Sequence, residues 1–435
     1  MKYFGTDGIR GQVGIYPITP DFMLKLGYAL GIVLQEQFST PSIVIGKDTR
    51  ISGYLFESAL ESGLTYAGVN VYLVGPISTP AVSYLTRAFR MSAGCVISAS
   101  HNPYYDNGIK IFTYGGNKID ASFEKRIEEL IDQKMTIAHS LGYVYRINDA
   151  KGRYIEFCKS TVSHSLNLQG LTIAVDCANG ATYETAPLVF EELGAEVIAT
   201  NVNPDGININ DNCGATNVTN LINTTLSNKV DYGIAFDGDG DRVVIIDKVG
   251  RIYDGDKILY ILVKLYQKLD VNIKAVVGTI LTNSGLESAL SKLGVNLLRT
   301  DVGDKNIIEQ ISKHNLLLGG EPSGHIIIAD KHNTGDGIIA SLQVLYATML
   351  LNKELYQIVD WDNIQQVTYN IPINNNKDWQ YRLQDIIDES NFTDEGRMIV
   401  RLSGTEPVLR IMIESNDDDF VQRCLSNIKL ALNIC

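Results

Sequence analysis

Ile173-Ala174-Val175-Asp176 is a short apolar run ending on a carboxylate, and Gly194-Ala195-Glu196-Val197 follows it at roughly the spacing one helix needs. Strand, helix and second strand at that spacing read as a βαβ unit with parallel strands. The signature recurs on both sides. Ile43-Val44-Ile45-Gly46 is followed by Gly68-Val69-Asn70-Val71, and Ala275-Val276-Val277-Gly278 by Gly294-Val295-Asn296-Leu297. Three copies predict three similar α/β domains rather than one very wide sheet. The remainder has another texture. Gln365, Val367, Tyr369 and Ile371 alternate as in a strand, Met398–Leu402 and Leu409–Ile413 flank a turn, and Asp418 to Leu432 reads as a helix. A smaller C-terminal α+β domain is expected there. The domains are expected at 1–148, 149–250, 251–360 and 361–435.

A chain of 435 residues, 45% apolar, is long enough for three or four domains with their own cores. Its net charge of −13 argues against nucleic acid or an anionic membrane as the main partner, yet allows a locally basic pocket for an anionic substrate. Six cysteines stand at 95, 158, 177, 213, 424 and 435, with no CxxC pair and no zinc spacing. Cys95 and Cys177 lie in apolar runs and read as buried hydrophobes. Met1-Lys2-Tyr3-Phe4 leads straight into glycine-rich sequence without a secretory pattern, and no apolar run reaches the ~18 residues of a membrane span. A reduced, cytoplasmic, soluble protein is expected.

Four loops carry chemistry. Asp237-Gly238-Asp239-Gly240-Asp241-Arg242 follows the strand-like Asp231–Phe236. Gly238 and Gly240 allow a tight fold, so three carboxylates converge as hard oxygen ligands suited to Mg²⁺. An EF-hand is excluded, because its sixth and twelfth positions would be Arg242 and Lys248. Arg242 suits a phosphate. Ser98-Ala99-Ser100-His101-Asn102-Pro103 offers a hydroxyl. It lacks the Gly-x-Ser-x-Gly elbow of an acyl hydrolase, and His101 is a sequence neighbour, which rarely faces the preceding side chain. Ser100 therefore reads as a phosphoryl carrier beside a metal. Gly319–His325 places Glu321, Ser323 and His325 on a compact turn suited to sugar hydroxyls. Arg401-Leu402-Ser403-Gly404-Thr405-Glu406-Pro407, with Arg410 beyond, makes a phosphate cradle from hydroxyls, N–H groups and two arginines. No Walker-type Gly-x-x-x-x-Gly-Lys-Ser/Thr is present. One polar loop per expected domain points to a site at a multi-domain junction.

These loops resemble those of the α-D-phosphohexomutase family over nearly the whole chain, and Phe4–Gly11 and Arg401–Pro407 are similar to its glucosamine branch. Ser98 stands where Thr is common, and Pro322 where that branch usually has Gln or Asn. The resemblance implies four domains round a cleft, phosphate on Ser100, and Mg²⁺ held by Asp237, Asp239, Asp241 and the Ser100 phosphoryl group. It implies interconversion of glucosamine 6-phosphate and glucosamine 1-phosphate through glucosamine 1,6-bisphosphate, feeding UDP-N-acetylglucosamine synthesis and the cell wall. By position, Arg10, Lys110 and His325 fall near the reacting groups, the latter two as acid/base candidates. Glu321 and Ser323 would hold sugar hydroxyls. Arg401, Ser403, Gly404, Thr405 and Arg410 would grip the phosphate not being transferred, with Arg242 also at the substrate. The implied partner is a sugar phosphate; a homodimer stays open. The alternatives are a phosphomannomutase/phosphoglucomutase and a non-catalytic sugar-phosphate sensor on the same scaffold.

Overall fold

The computed structural model describes residues 2–5, 7–372, 383, 396–402 and 408–432. It holds four sheets. The first runs Ile9–Gln12, Asp106–Thr113, Ala93–Ile97, Ser42–Lys47, Asn70–Pro76, Val144–Arg146. The second runs Ile252–Tyr253, Val243–Asp247, Tyr232–Phe236, Thr172–Asp176, Glu196–Thr200. The third runs Asn296–Thr300, Ala275–Thr279, Leu318–Gly320, Ile326–Ile328.

All three expected βαβ units are present. Ser42–Lys47 pairs parallel with Asn70–Pro76, Thr172–Asp176 with Glu196–Thr200, and Ala275–Thr279 with Asn296–Thr300. The helices between them are Ser52–Tyr66, Thr185–Glu192 and Ser284–Lys292. In each copy the first of these strands also pairs parallel with the leading strand of an antiparallel hairpin: Ala93–Ile97 with Asp106–Thr113, Tyr232–Phe236 with Val243–Asp247, Leu318–Gly320 with Ile326–Ile328. The turns of these hairpins are the serine, acidic and sugar loops. One four-strand topology used three times therefore delivers the same turn three times, at the carboxyl end of a parallel strand where α/β sheets place their ligands.

The three α/β units share buried surface. A single apolar cluster joins Val82, Leu85 and Phe112 of the first to Phe190 and Phe236 of the second and Leu262 and Leu342 of the third. The helix Gly337–Leu351 is buried along most of its length within this cluster. Such a helix is hydrophobic all round because it has no solvent face.

The fourth sheet is Gln366–Pro372, Val408–Glu414 and Arg397–Leu402, all antiparallel. The helix Asp418–Leu432 has the bounds read from the sequence. Its Phe420, Val421, Cys424 and Ile428 form a separate core with Met398, Leu409, Ile411 and Ile413. Among the described residues no helix is long and apolar enough to cross a membrane. Cys95, Cys158, Cys177, Cys213 and Cys424 are free and buried; burial alone pushes the Cys95 thiol up to about 12.

Candidate active site

The acidic loop sits under the serine loop with backbone against backbone. A Cβ on Gly238 would lie 2.6 Å from the Ser100 carbonyl oxygen, so only glycine permits the approach. Gly240 turns the chain with φ +74. Asp237, Asp239 and Asp241 are buried, and one oxygen of each lies within 4.8 Å of the others. Ser100 is 1% exposed and holds φ +53, a left-handed conformation that is costly for a serine. Its Oγ donates to Asp237 Oδ2 at 2.7 Å.

The same backbone turn brings His101 Nδ1 to 3.5 Å from Ser100 Oγ, so these sequence neighbours do approach, contrary to the expectation from adjacency. Burial and the charges of Arg242 and Arg10 push His101 down to about 3, leaving it neutral. It is no triad base, since Ser100 has donated to a carboxylate.

Arg50, which sequence reading missed, holds the serine loop. It is fully buried, its Nε donates to Asp48 Oδ2 at 2.7 Å, and its terminal nitrogens donate to the carbonyls of Ser100 (2.9 Å), Asn102 (2.8 Å), Asp106 (3.1 Å) and Pro103. Ser98 Oγ donates to the same Asp48 oxygen and accepts from the Ser100 N–H at 2.9 Å. Asn210 adds a bond to the Ser100 carbonyl at 2.9 Å. A guanidinium in a fixed fork is suited to gathering several carbonyls at once. The signal was Lys47-Asp48-Thr49-Arg50, a polar run directly after a buried parallel strand.

Lys110 Nζ reaches Asp239 Oδ2 at 2.8 Å, Asp241 Oδ2 at 3.0 Å and Asp7 Oδ2 at 3.2 Å. Burial alone would lower its pKa, but these carboxylates hold it well above the ordinary lysine value. Asp237 goes the other way: burial and the like charges of Asp241 and Asp239 raise it well above the carboxylate range. Thr79 Oγ1 donates to Asp239 Oδ2 at 2.6 Å. Asp239 Oδ1 and Asp241 Oδ1 are buried without a hydrogen-bond partner. Three converging carboxylates, two with unsatisfied buried oxygens and one strained by like charge, fit a hard divalent cation.

His325 lies between Asp241 and Asp304, with Nδ1 3.7 Å from Asp241 Oδ1 and Nε2 3.9 Å from Asp304 Oδ2. These are ion contacts, too long for hydrogen bonds. Burial would lower its pKa, yet Asp241 and then Asp304 hold it raised. His325 thus belongs with the acidic loop, while its turn-mates Glu321 and Ser323 bond each other at 3.2 Å. Glu321 Oε1 also accepts the Gly303 N–H at 3.0 Å. Arg10 pairs with Asp7, and Arg242 donates its N–H to Asp237 Oδ1 at 3.1 Å. Lys118 pairs with both Asp7 and Asp304. Asp7 was read only as part of Phe4–Gly11, and no motif marks Lys118 or Asp304; only the fold brings the three together.

Arg401 and Arg410 are directly opposed on neighbouring strands. They line a cavity of about 340 Å³ with Leu281, Thr368 and Asn370. Burial and the like charge of Arg410 lower the Arg401 pKa, with Glu321 pulling the other way. Like charges opposed across a ladder repel, and an anion can bridge them. Ser403, Gly404 and Thr405 lie outside the described residues.

The chain matches four family models: phosphoglucomutase/phosphomannomutase alpha/beta/alpha domain I over residues 1–138, domain II over 152–250, domain III over 254–364, and the C-terminal domain over 370–431. The chain belongs to this family. It is 51% identical over 428 residues to the phosphoglucosamine mutase of Neisseria meningitidis serogroup C, covering 97% of this chain and 96% of the relative. It is 49% identical to the phosphoglucosamine mutase of Cupriavidus metallidurans, covering 99% of each. A phosphoglucomutase/phosphomannomutase family protein of Burkholderia thailandensis shares the fold with TM-score 0.83 at 22% identity, covering 98% of this chain and 96% of that one. The N-acetylphosphoglucosamine mutase of Aspergillus fumigatus, solved in complex with GlcNAc-6P and magnesium, matches with TM-score 0.66 at 15% identity, covering 99% and 95%. These matches bear out the fold class read from the βαβ repeats: three α/β domains and a smaller fourth. The buried acidic triad is a group that could hold a metal ion.

Proposed function

We infer that the chain interconverts glucosamine 6-phosphate and glucosamine 1-phosphate, as an intramolecular phosphotransferase of this family. The observation that carries a phosphoryl-transfer reading is Ser100 Oγ, bonded at 2.7 Å to a buried triad of carboxylates. The glucosamine assignment rests on the near full-length likeness to phosphoglucosamine mutases.

In this reading phosphoserine 100 is the resting donor. The bond between phosphorus and Ser100 Oγ breaks, a bond to the sugar hydroxyl forms, the hydroxyl proton passes to a base, Ser100 Oγ takes up a proton from an acid, and glucosamine 1,6-bisphosphate results. The bisphosphate reverses, its other phosphate returns to Ser100, and the monophosphate product leaves. Mg²⁺ would be held by Asp237, Asp239 and Asp241 with the Ser100 phosphoryl group, and would neutralise charge on the moving phosphoryl group. The charges of Arg10 and Arg242 both reach His101 beside Ser100, and both would act on the phosphoryl group. Lys110 and His325 are the acid/base candidates, and the carboxylates round them raise both above their ordinary values. Glu321 and Ser323 would hold sugar hydroxyls. Arg401 and Arg410, with Ser403, Gly404 and Thr405, would hold the distal phosphate. The reaction belongs in the cytoplasm, where sugar phosphates are made.

Relative kcat/KM for glucosamine, glucose and mannose 6-phosphates tests this directly. Glucosamine 6-phosphate is expected to be preferred at least about tenfold, the discrimination one polar substituent supplies. A preference for mannose or glucose would move the chain to the other branch, and absence of turnover with all three would remove the enzymatic reading.

A further inference from the structure

The fourth sheet is built in rungs. Gln366, Glu414 and Arg397 are aligned across its three strands; Thr368, Met412 and Ile399 come next; then Asn370, Arg410 and Arg401. Alternate residues such as Val367, Ile413 and Met398 face the core under Asp418–Leu432. All three rungs therefore share the opposite face. Four residues separate the first rung from the third, about 13 Å along a strand.

The first rung is docked into the third domain. Arg397 and Glu414 are each 2% exposed. Arg397 Nε and Nη2 donate to the two Glu414 oxygens, both at 2.9 Å. Two further guanidinium hydrogens go to backbone carbonyls of the third domain, Ile280 at 2.8 Å and Thr282 at 2.6 Å. Glu414 Oε1 accepts the Ser284 N–H at 3.2 Å. Ser284 opens the helix Ser284–Lys292, whose first N–H groups have no partner within the helix. Gln366 completes the rung, donating to Glu414 and to the Leu281 carbonyl at 3.1 Å. Asn283 holds the connection itself: its Nδ2 donates to the Ile364 carbonyl at 2.8 Å and its Oδ1 accepts the Ile364 N–H at 3.0 Å.

The arrangement is complementary in both signs. The cation takes carbonyls that point out of the loop, and the anion takes the positive end of a helix. An ion pair that served its own sheet alone would not need the neighbour's backbone on both partners. We propose that Arg397 and Glu414 are positioning residues for the reaction: a polar bolt that fixes the third rung, and with it Arg401 and Arg410, over the cleft. This rests on the reading of Arg401 and Arg410 as the grip on the distal phosphate. The bolt is polar and can release and re-form, where a continuous apolar interface would hold the domain for good.

Two variants test the bolt from its two sides. Arg397→Met removes the fork. Ser284→Pro removes one N–H at the first position of a helix, where proline is tolerated, and Asn283 before it already has the extended backbone that proline requires (φ −64, ψ 136). It leaves every residue of the fourth domain in place, so it decides the matter if Arg397→Met fails to fold. In full-length enzyme, KM is expected to rise about tenfold or more in Arg397→Met and about threefold or more in Ser284→Pro, with kcat within about threefold of wild type. Small-angle scattering without substrate is expected to show a larger radius of gyration for both. A raised KM in Arg397→Met alone, with Ser284→Pro like wild type in KM and scattering, overturns the bolt, because the pair then serves only its own sheet. Unchanged KM in both overturns it also. Arg410→Ala separates the underlying reading: if its KM is unchanged, the phosphate grip is wrong, and the bolt is then judged by scattering alone, an unchanged radius of gyration overturning it.

Discussion

The first three domains and the fourth are joined by opposite physics. The first three share one apolar cluster, and polar contacts lock them further. Lys110 of the first meets Asp239 and Asp241 of the second; the Val243 N–H of the second bonds Gly324 of the third at 3.0 Å; Lys305 of the third reaches Glu124 of the first at 3.0 Å. The fourth has its own core, and among the described residues the hydrogen bonds identified from its sheet to the third domain converge on residues 280–284. Chemistry at Ser100 requires fixed geometry, which continuous burial supplies. In the proposed function the fourth domain holds a bisphosphate that turns over, and that requires release, which a few polar contacts supply. Damage to the block should therefore appear in kcat, and damage to the fourth domain in KM.

The largest effect is expected at the acidic loop. Asp239→Ala should lower kcat at least about a hundredfold, or demand far more Mg²⁺, while the thermal melt stays near wild type, since the change relieves like-charge repulsion. A normal Mg²⁺ dependence in that variant would place the metal elsewhere. Next comes Arg50, which touches no substrate in this account. Arg50→Lys keeps the charge and loses the fork, so kcat should fall about ten- to a hundredfold with KM within about threefold. A KM effect instead would mean that the serine loop is held by other groups.

Arg410→Ala sharpens the comparison from the other side. KM should rise about ten- to a hundredfold with kcat little changed, from loss of one charge-assisted contact of about 1.5–3 kcal/mol. Bisphosphate should also escape more often, leaving unphosphorylated Ser100 that added glucosamine 1,6-bisphosphate restores.

The last effect is on stability, and it leaves turnover at neutral pH unchanged. His332 of the third domain is buried against the first, with Nε2 2.8 Å from the Pro80 carbonyl oxygen and Nδ1 accepting the Asn333 N–H. Burial pushes it down to about 4, so it is neutral despite Asp336 Oδ2 at 4.0 Å. A depressed folded pKa means that the unfolded chain binds the proton first as pH falls. The contribution is whole above about 6.5 and is lost as pH falls toward about 4, amounting to up to about 3 kcal/mol. Denaturant midpoints across that window should fall more steeply for wild type than for His332→Gln. Parallel slopes would show that this contact does not bind the proton.

The three βαβ copies were legible because buried parallel strands are continuous apolar runs, each followed by a glycine at the turn; Gly68, Gly194 and Gly294 all have positive φ. The serine and acidic loops were legible because their chemistry is local in sequence. That three of the loops are the same hairpin turn was not, since Ser98–Pro103, Asp237–Arg242 and Glu321–His325 share topology but no common motif. Arg50, Lys118 and Asp304 act through partners far away in the chain, and a lone charged residue beside a strand or helix end looks like any other. The left-handed Ser100 that brings His101 close also leaves no mark in the sequence.

The central claim is that Ser100 carries the phosphoryl group above the acidic triad. It is tested most directly by intact mass and peptide mapping of protein exposed to glucosamine 1,6-bisphosphate and then to excess glucosamine 6-phosphate. One added phosphoryl group on Ser100 after the first step, held through turnover in wild type and never acquired by Ser100→Ala, which should lose activity about a thousandfold or more, is the predicted result. A phosphoryl group mapped to another residue, or normal turnover in verified Ser100→Ala protein, would contradict it.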